Sequence, residues 1–271
     1  WEAVLWTRPE AAEARAYLEG RGIDQETART WRLGYAPPGW TTTLDRLQRE
    51  RIPVGLLLDA GLAKRSQKTG GTYDTFRDRI TIPIADERGR IIAFGARRMG
   101  EDGPKYLNSP ETEVYVKKKV LFGLHHARRA IQQQDRALLV EGYFDVISLH
   151  QAGFREAIAT CGTALTPEHL VTLRRLTRTA VALFDADEAG ARAAEKSLPL
   201  FMNADVLPFR LDLPGAKDPD ELIQEEGPGA MEVALGHRTP LLEWVIDRKV
   251  ARAGGGSAAR DAVLDEILDL L

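Results

Sequence analysis

One cysteine stands among the 271 residues, Cys161, so no disulfide can form within the chain and a cysteine-based zinc ribbon is excluded. The five histidines (His125, His126, His150, His169, His237) are scattered without ligand spacing and read as ordinary surface or core residues, as does Cys161. No run approaches the roughly 20 apolar residues of a membrane helix. No basic segment followed by an apolar stretch opens the chain as a secretory leader would. A reducing, cytoplasmic setting with no membrane partner is therefore expected. A nucleoside-triphosphate-binding P-loop, G-x-x-x-x-G-K-[ST], is absent, and so are internal repeats and long low-complexity tracts. What is present is 44% hydrophobic and 28% charged residues with a net charge of −3, a composition that buries a real core. Length suggests about two structural units of roughly 100–200 residues each. The chain opens on Trp1 and closes on Leu270 and Leu271 in an uncapped apolar-periodic run, and reads as a piece of a longer protein.

The near-neutral total conceals an asymmetry. From Arg77 to Arg129 there are twelve Lys/Arg against seven Asp/Glu, and from Asp135 to Glu226 nine against sixteen. A basic block followed by an acidic one points to nucleic-acid contact on one side and to solvation or cation binding on the other. The local patterns divide similarly. Residues 9–17 and 41–50 read as helices, and 35–39 as a break. RITIPIA (79–85), the turn 86–89 and RIIAFGA (90–96) form a hairpin, followed by a loop over 100–116. Beyond residue 136, apolar strands at 137–140, 156–160, 179–184 and 205–211 alternate with helices at 144–151, 166–176 and 189–200, the signature of parallel βαβ units. Residues 231–271 read as helical, interrupted at Gly254-Gly255-Gly256.

In an open parallel sheet, ligands gather at the carboxyl ends of the strands. Glu141 directly follows ALLV, with Gly142 allowing a tight turn. Asp185 and Asp187 follow AVALF, two apart and so on one side of an extended chain, while Asp218 and Asp220 follow the strand at 205–211. Asp145 lies four residues after Glu141. Each aspartate has an ordinary alternative: Asp185 or Asp187 as the cap of the helix from Ala189, Asp218 as the cap of the helix at Leu222, and Asp145 as a first-turn residue favoured by the helix dipole. Three acidic groups at successive strand ends would repel one another unless neutralised by a hard, oxygen-seeking cation such as Mg²⁺ or Mn²⁺.

The segments Glu141-Gly142-Tyr143-Phe144-Asp145-Val146, Phe184-Asp185-Ala186-Asp187-Glu188-Ala189-Gly190 and Lys217-Asp218-Pro219-Asp220 resemble the Toprim domain. Tyr17-Leu18-Glu19-Gly20-Arg21-Gly22, Phe76-Arg77-Asp78-Arg79, residues 89–97, Leu121-Phe122-Gly123-Leu124 and above all Pro104-Lys105-Tyr106-Leu107-Asn108-Ser109-Pro110-Glu111-Thr112 resemble the DnaG-type bacterial primases over about residues 10–240. The resemblance implies an α/β fold: a Toprim-type parallel-sheet domain (121–240), an N-terminal α+β basic subdomain that binds template (1–120) and the start of a C-terminal helical subdomain (241–271). It implies a DNA-directed RNA polymerase that makes short primers on single-stranded DNA from ribonucleoside triphosphates at replication forks in the bacterial cytoplasm. Glu141, Asp185 and Asp187 match the family's catalytic and metal-holding carboxylates, joined by Asp145, Asp218 and Asp220 as metal ligands, with Mg²⁺ or Mn²⁺ as the cofactor. Arg77, Arg97, Lys105 and Lys117 match its template- or nucleotide-binding cations, and Arg21 extends the set. The family's zinc-binding module and the C-terminal domain that meets the replicative helicase are not in this chain. Two departures stand out: Ala186 where the family usually has glycine, and Thr75 where some relatives have a basic residue.

Glu141 is open to two roles, metal ligand or general base. A Toprim nuclease or topoisomerase is the alternative enzyme, although no tyrosine here sits in a recognisable cleavage module. A Toprim-bearing binding or mediator protein is the non-enzymatic alternative, against which the intact carboxylates argue.

Overall fold

A computed structural model describes residues 1–101, 103–183, 188–213, 215–254 and 256–268. The chain divides into two compact units, Trp1–His125 and His126–Leu271, so the change of rhythm in the sequence and the change of unit fall close together. The two helices after residue 240 (Leu241–Arg252 and Ser257–Leu268) fall within the second unit.

The first unit opens with short helices, Glu2–Thr7, Ala12–Gly20 and Gln25–Thr30, the last capped by Asp24, which accepts from the Thr27 N–H at 2.7 Å. The helix Thr42–Arg49 is capped from a distance: Asp74, 1% exposed, accepts from the N–H groups of Thr43 (2.7 Å) and Leu44 (2.8 Å). Strand β1 (Gly34–Ala36) precedes that helix, and β2 (Ala63–Arg65) and β3 (Thr72–Asp74) pair as a small antiparallel ribbon. The expected hairpin is β4 (Arg79–Ala85) and β5 (Ile91–Arg98), and the second strand runs two residues further than RIIAFGA. Its turn is closed by Asp86, which accepts from the N–H groups of Arg88 and Arg90, and Gly89 supplies the left-handed residue at φ 81°. Residues 100–116, read as loop, contain β6 (Tyr106–Asn108), which completes an antiparallel sheet ordered β1-β4-β5-β6. Ile80, Ile82 and Ile84, alternating along β4, and Phe76 are fully buried, and Trp1 packs edge-on against Phe76 and Phe94. A two-residue strand, β7 (Leu121–Phe122), follows the 3₁₀ turn Lys117–Lys119, and Phe122 stacks on Trp31 at 5.2 Å.

In the second unit β8 (Ala137–Val140), β9 (Ala157–Thr160), β10 (Thr179–Ala182) and β11 (Leu207–Arg210) are parallel neighbours, as their apolar runs predict. A short antiparallel strand, β12 (Thr239–Pro240), adds to β11, giving the order β12-β11-β10-β8-β9. The chain leaves β8 toward β9 on one side, then crosses to β10 on the other side of β8. That reversal creates a topological switch point beside the carboxyl end of β8, the place where open parallel sheets bind ligands. The helix at Thr166-Pro167 starts as expected. Thr166 caps it, and His169, fully buried, accepts back from the Thr166 N–H at 3.3 Å, so one scattered histidine is a capping residue. Cys161 is a buried free thiol.

Candidate functional site

Glu141 leaves the end of β8 at the switch point and is exposed. It borders a cavity of about 650 Å³ at the carboxyl ends of β8, β9 and β10, together with Thr160, Leu183, Arg192 and Lys196. The next residue, Gly142, is extended (φ −104°), so its glycine is not needed for a left-handed turn. It is needed for room: a Cβ there would lie 2.5 Å from Asp145 Oδ2. That oxygen accepts the Gly142 N–H at 2.9 Å, which fixes Asp145 in the first turn of the helix Tyr143–Gln151. Glu141 and Asp145 are thus joined through one short, braced turn.

The remaining carboxylates divide. Asp185 and Asp187 lie outside the described residues. Asp218 caps the helix Pro219–Glu226, one side-chain oxygen accepting from the Glu221 N–H at 2.8 Å. Asp220 is 2% exposed and accepts from Gln224 Nε2 at 2.9 Å and from the Ser148 hydroxyl. Among the described residues, no three metal-ligating side chains come together. Among the described residues, Glu141 and Asp145 bring carboxylate groups to the switch point.

In the first unit the antiparallel register gathers the basic residues. Arg97 on β5 pairs with Tyr106 on β6, and the Arg98 N–H donates to the Lys105 carbonyl at 2.9 Å, placing Arg97, Arg98 and Lys105 at one end of the strand pair. Arg97 lies 3.8 Å from the centre of the Tyr17 ring, and Arg21 approaches the same ring at 5.9 Å, so Tyr17 brings two of the expected cations together. Arg77 precedes β4, donates to the Asp74 carbonyl and stacks on Trp40 (4.2 Å) and Tyr73 (5.3 Å). Trp40 is 64% exposed, an unusual state for the largest aromatic side chain. Lys117 is half-buried at the start of its 3₁₀ turn, its N–H held by Glu111 at 3.0 Å, while Lys118 and Lys119 are exposed.

Motif reading missed Arg79, Trp40 and Tyr73. Arg79 is 5% exposed and donates to the Pro104 carbonyl at 2.9 Å. Burial, then repulsion from Arg98 and Arg77, holds its guanidinium below the usual arginine range, a sign of concentrated positive charge. Arg79 entered the resemblance within Phe76-Arg77-Asp78-Arg79 and the strand RITIPIA without a role of its own, and Trp40 beside the Pro37-Pro38-Gly39 break gave no periodic signal. Thr75, where a basic residue was expected, is 4% exposed, so a charge at that position would face the core.

A parallel sheet that reverses beside a carboxylate-ended strand defines the class of the second unit: residues 138–223 match the family described as Toprim-like. Residues 2–128 match the family described as DNA primase catalytic core, N-terminal domain. A DNA primase of Pseudomonas aeruginosa is 43% identical over 93% of this chain, which covers 39% of that protein, and one of Escherichia coli is 41% identical over 89%, covering 42%. Among solved structures, a DNA primase domain from Pseudomonas aeruginosa superposes with a TM-score of 0.88 at 41% identity, covering 96% of this chain and 82% of that one. The RNA polymerase domain of Mycobacterium tuberculosis primase DnaG superposes at 0.89 with 36% identity, covering 100% and 88%. The chain belongs to the DnaG-type DNA primases and corresponds to their catalytic core. It spans about two fifths of the length of the curated relatives it matches.

Proposed function

We propose that this chain is the RNA-polymerising core of a primase, extending short ribonucleotide primers on single-stranded DNA. The observation that carries the reading is the 41% identity to a DNA primase domain over 96% of the chain, with Glu141 exposed at the switch point that such a site needs. Glu141, Asp145, Asp185, Asp187 and Asp218 would hold Mg²⁺ or Mn²⁺. When bound, such a cation favours ionisation of the attacking 3′-hydroxyl and neutralises the departing pyrophosphate. The residues of the chain do the rest. Glu141 either ligates or takes the hydroxyl proton, and the Gly142–Asp145 hydrogen bond keeps both carboxylates in place. Arg21, Arg97, Lys105 and Lys117 bind template or triphosphate phosphates, with the arginine forks suited to bidentate contact. Arg77 on Trp40 and Tyr73 forms a stacking platform of the kind that carries single-stranded nucleic acid without reading its sequence. A structure described as the DnaG primase catalytic domain bound to ssDNA, 36% identical to this chain, supports the template as partner.

The parent protein would add a zinc-binding module and a helicase-binding domain and work at replication forks in the cytoplasm. No helix among the described residues is long and apolar enough to cross a membrane. The nuclease alternative is not favoured, since the relatives named above are DNA primases. The test is ribonucleotide incorporation on a primed single-stranded DNA with Mn²⁺ or Mg²⁺, beside Glu141→Gln and Asp185→Asn. Metal-dependent extension lost in both variants is the expected result. Template cleavage without extension would establish the nuclease instead.

A further inference from the structure

Ser148 sits in the middle of an apolar helix, in the run Val146-Ile147-Ser148-Leu149, and is 6% exposed. A serine in such a place commonly bonds back to its own helix. Here its hydroxyl crosses to another helix and donates to Asp220 Oδ1. The same oxygen accepts from Gln224 Nε2, four residues along the helix Pro219–Glu226. One oxygen of a nearly inaccessible carboxylate therefore receives donors from two helices. Hydrogen bonds to a carboxylate are about twice as strong as neutral ones, and leaving a buried carboxylate without them is costly.

The positions of these residues matter. Ser148 lies three residues after Asp145, within one turn, on the helix that begins at Tyr143 beside Glu141. Asp220 lies two residues after Asp218, the cap of its own helix. The Ser148–Asp220 bond thus ties the helix bearing Asp145 to the helix headed by Asp218.

We infer that Ser148 and Asp220 are a positioning pair: Asp220 fixes the metal-holding helix through Ser148 rather than serving as a metal ligand itself. The inference rests on the reading above, in which Glu141 and Asp145 hold the cation, and it assigns the second aspartate of the Asp-Pro-Asp segment a different task from the one its motif implies. The distinction can be measured because asparagine keeps the acceptor oxygen for Ser148 but lacks the negative charge with which a carboxylate holds a hard cation.

The experiment measures Mn²⁺ affinity by electron paramagnetic resonance, and primer extension in parallel, for the parent chain, Ser148→Ala, Asp220→Asn and Asp220→Ala. Positioning predicts that Asp220→Asn stays within about threefold of the parent in Mn²⁺ affinity, while Ser148→Ala weakens it about tenfold or more, the lower end of what one hydrogen bond to a charged group is worth. Asp220→Ala should weaken it at least as much, and adding Ser148→Ala to it should cost nothing further. A tenfold loss in Asp220→Asn, or an unchanged affinity in Ser148→Ala, overturns the inference. Should Asp220→Ala fail to fold, the contrast between the two milder variants still decides. A parent that binds no Mn²⁺ overturns both this inference and the metal reading. Binding without extension overturns the polymerase reading alone and leaves the comparison of affinities intact.

Discussion

The backbone N–H of Gly142 and the Oδ2 atom of Asp145 are 2.9 Å apart, and a methyl group on Gly142 would fall 2.5 Å from that same oxygen. Hydrogen bond and side-chain group cannot both be accommodated without a shift. Gly142→Ala should therefore destabilise the chain by about 1–2 kcal/mol, combining a steric shift with a weakened first-turn bond. Urea unfolding at constant m-value reports it. An unchanged midpoint would mean that Asp145 turns aside at no cost.

Arg77 and Trp40 form one contact but should fail differently. Trp40→Ala removes a stacking surface and should weaken single-stranded DNA binding by about 1–3 kcal/mol with little change in salt dependence. Arg77→Ala removes a phosphate-neutralising charge and should lower the slope of log K against log salt by about 1. Fluorescence anisotropy with labelled oligonucleotide across a salt series separates the two. Identical slopes for both variants would refute the division of labour.

His150 sets a pH dependence. Its Nε2 lies 2.9 Å from the Ala157 carbonyl, yet burial, aided by the nearby charges of His126 and Arg155, holds it down to about 4 from its ordinary 6.5. Between those values the unfolded chain carries a proton that the folded chain does not, so stability falls as pH drops through the window. From pH 7 to pH 5 the loss from this group should be about 2 kcal/mol. His150→Gln should flatten that part of the profile in urea melts. An equally steep profile in the variant would assign the dependence to other groups.

The helix Glu188–Asn203 is gripped from the helix Leu241–Arg252. Arg248 and Arg252 both bond Glu188 and Glu195, and Arg248 also lies over the Trp244 ring, whose centre is 4.2 Å from Arg210. The arginines hold Glu188 below the usual carboxylate range, Arg248 foremost. Arg248→Glu should lower Tm by several degrees. Pairing it with Glu188→Arg should recover part of the loss. Double-variant melts no better than the single would show that the charges are not coupled.

How far these features can be read from sequence depends on what each signal is made of. The parallel core was legible because Ala137–Val140 and Thr179–Ala182 are continuous apolar runs, and such runs have few other uses. Glu141 was legible because it ends one of them. The strands Gly34–Ala36 and Tyr106–Asn108 were not, because each is three residues long and beside prolines, and Gly34–Ala36 pairs with the distant residues Arg79–Thr81. The capping alternative for Asp218 was visible from Asp-Pro, but the burial of Asp220 was not, since it depends on a helix 72 residues away. Trp40, Tyr73 and Ser148 were missed for the same reason: what they do is decided by a neighbour that the local pattern does not name.

One small strand has a wider effect. Among the described residues, the parallel sheet ends on the β11 side at Thr239–Pro240, and proline has no N–H to offer a further strand. A two-residue margin ending in proline gives an incoming chain almost no ladder to extend. In a crowded solution, this margin keeps the sheet from recruiting a neighbouring chain's strand as its own.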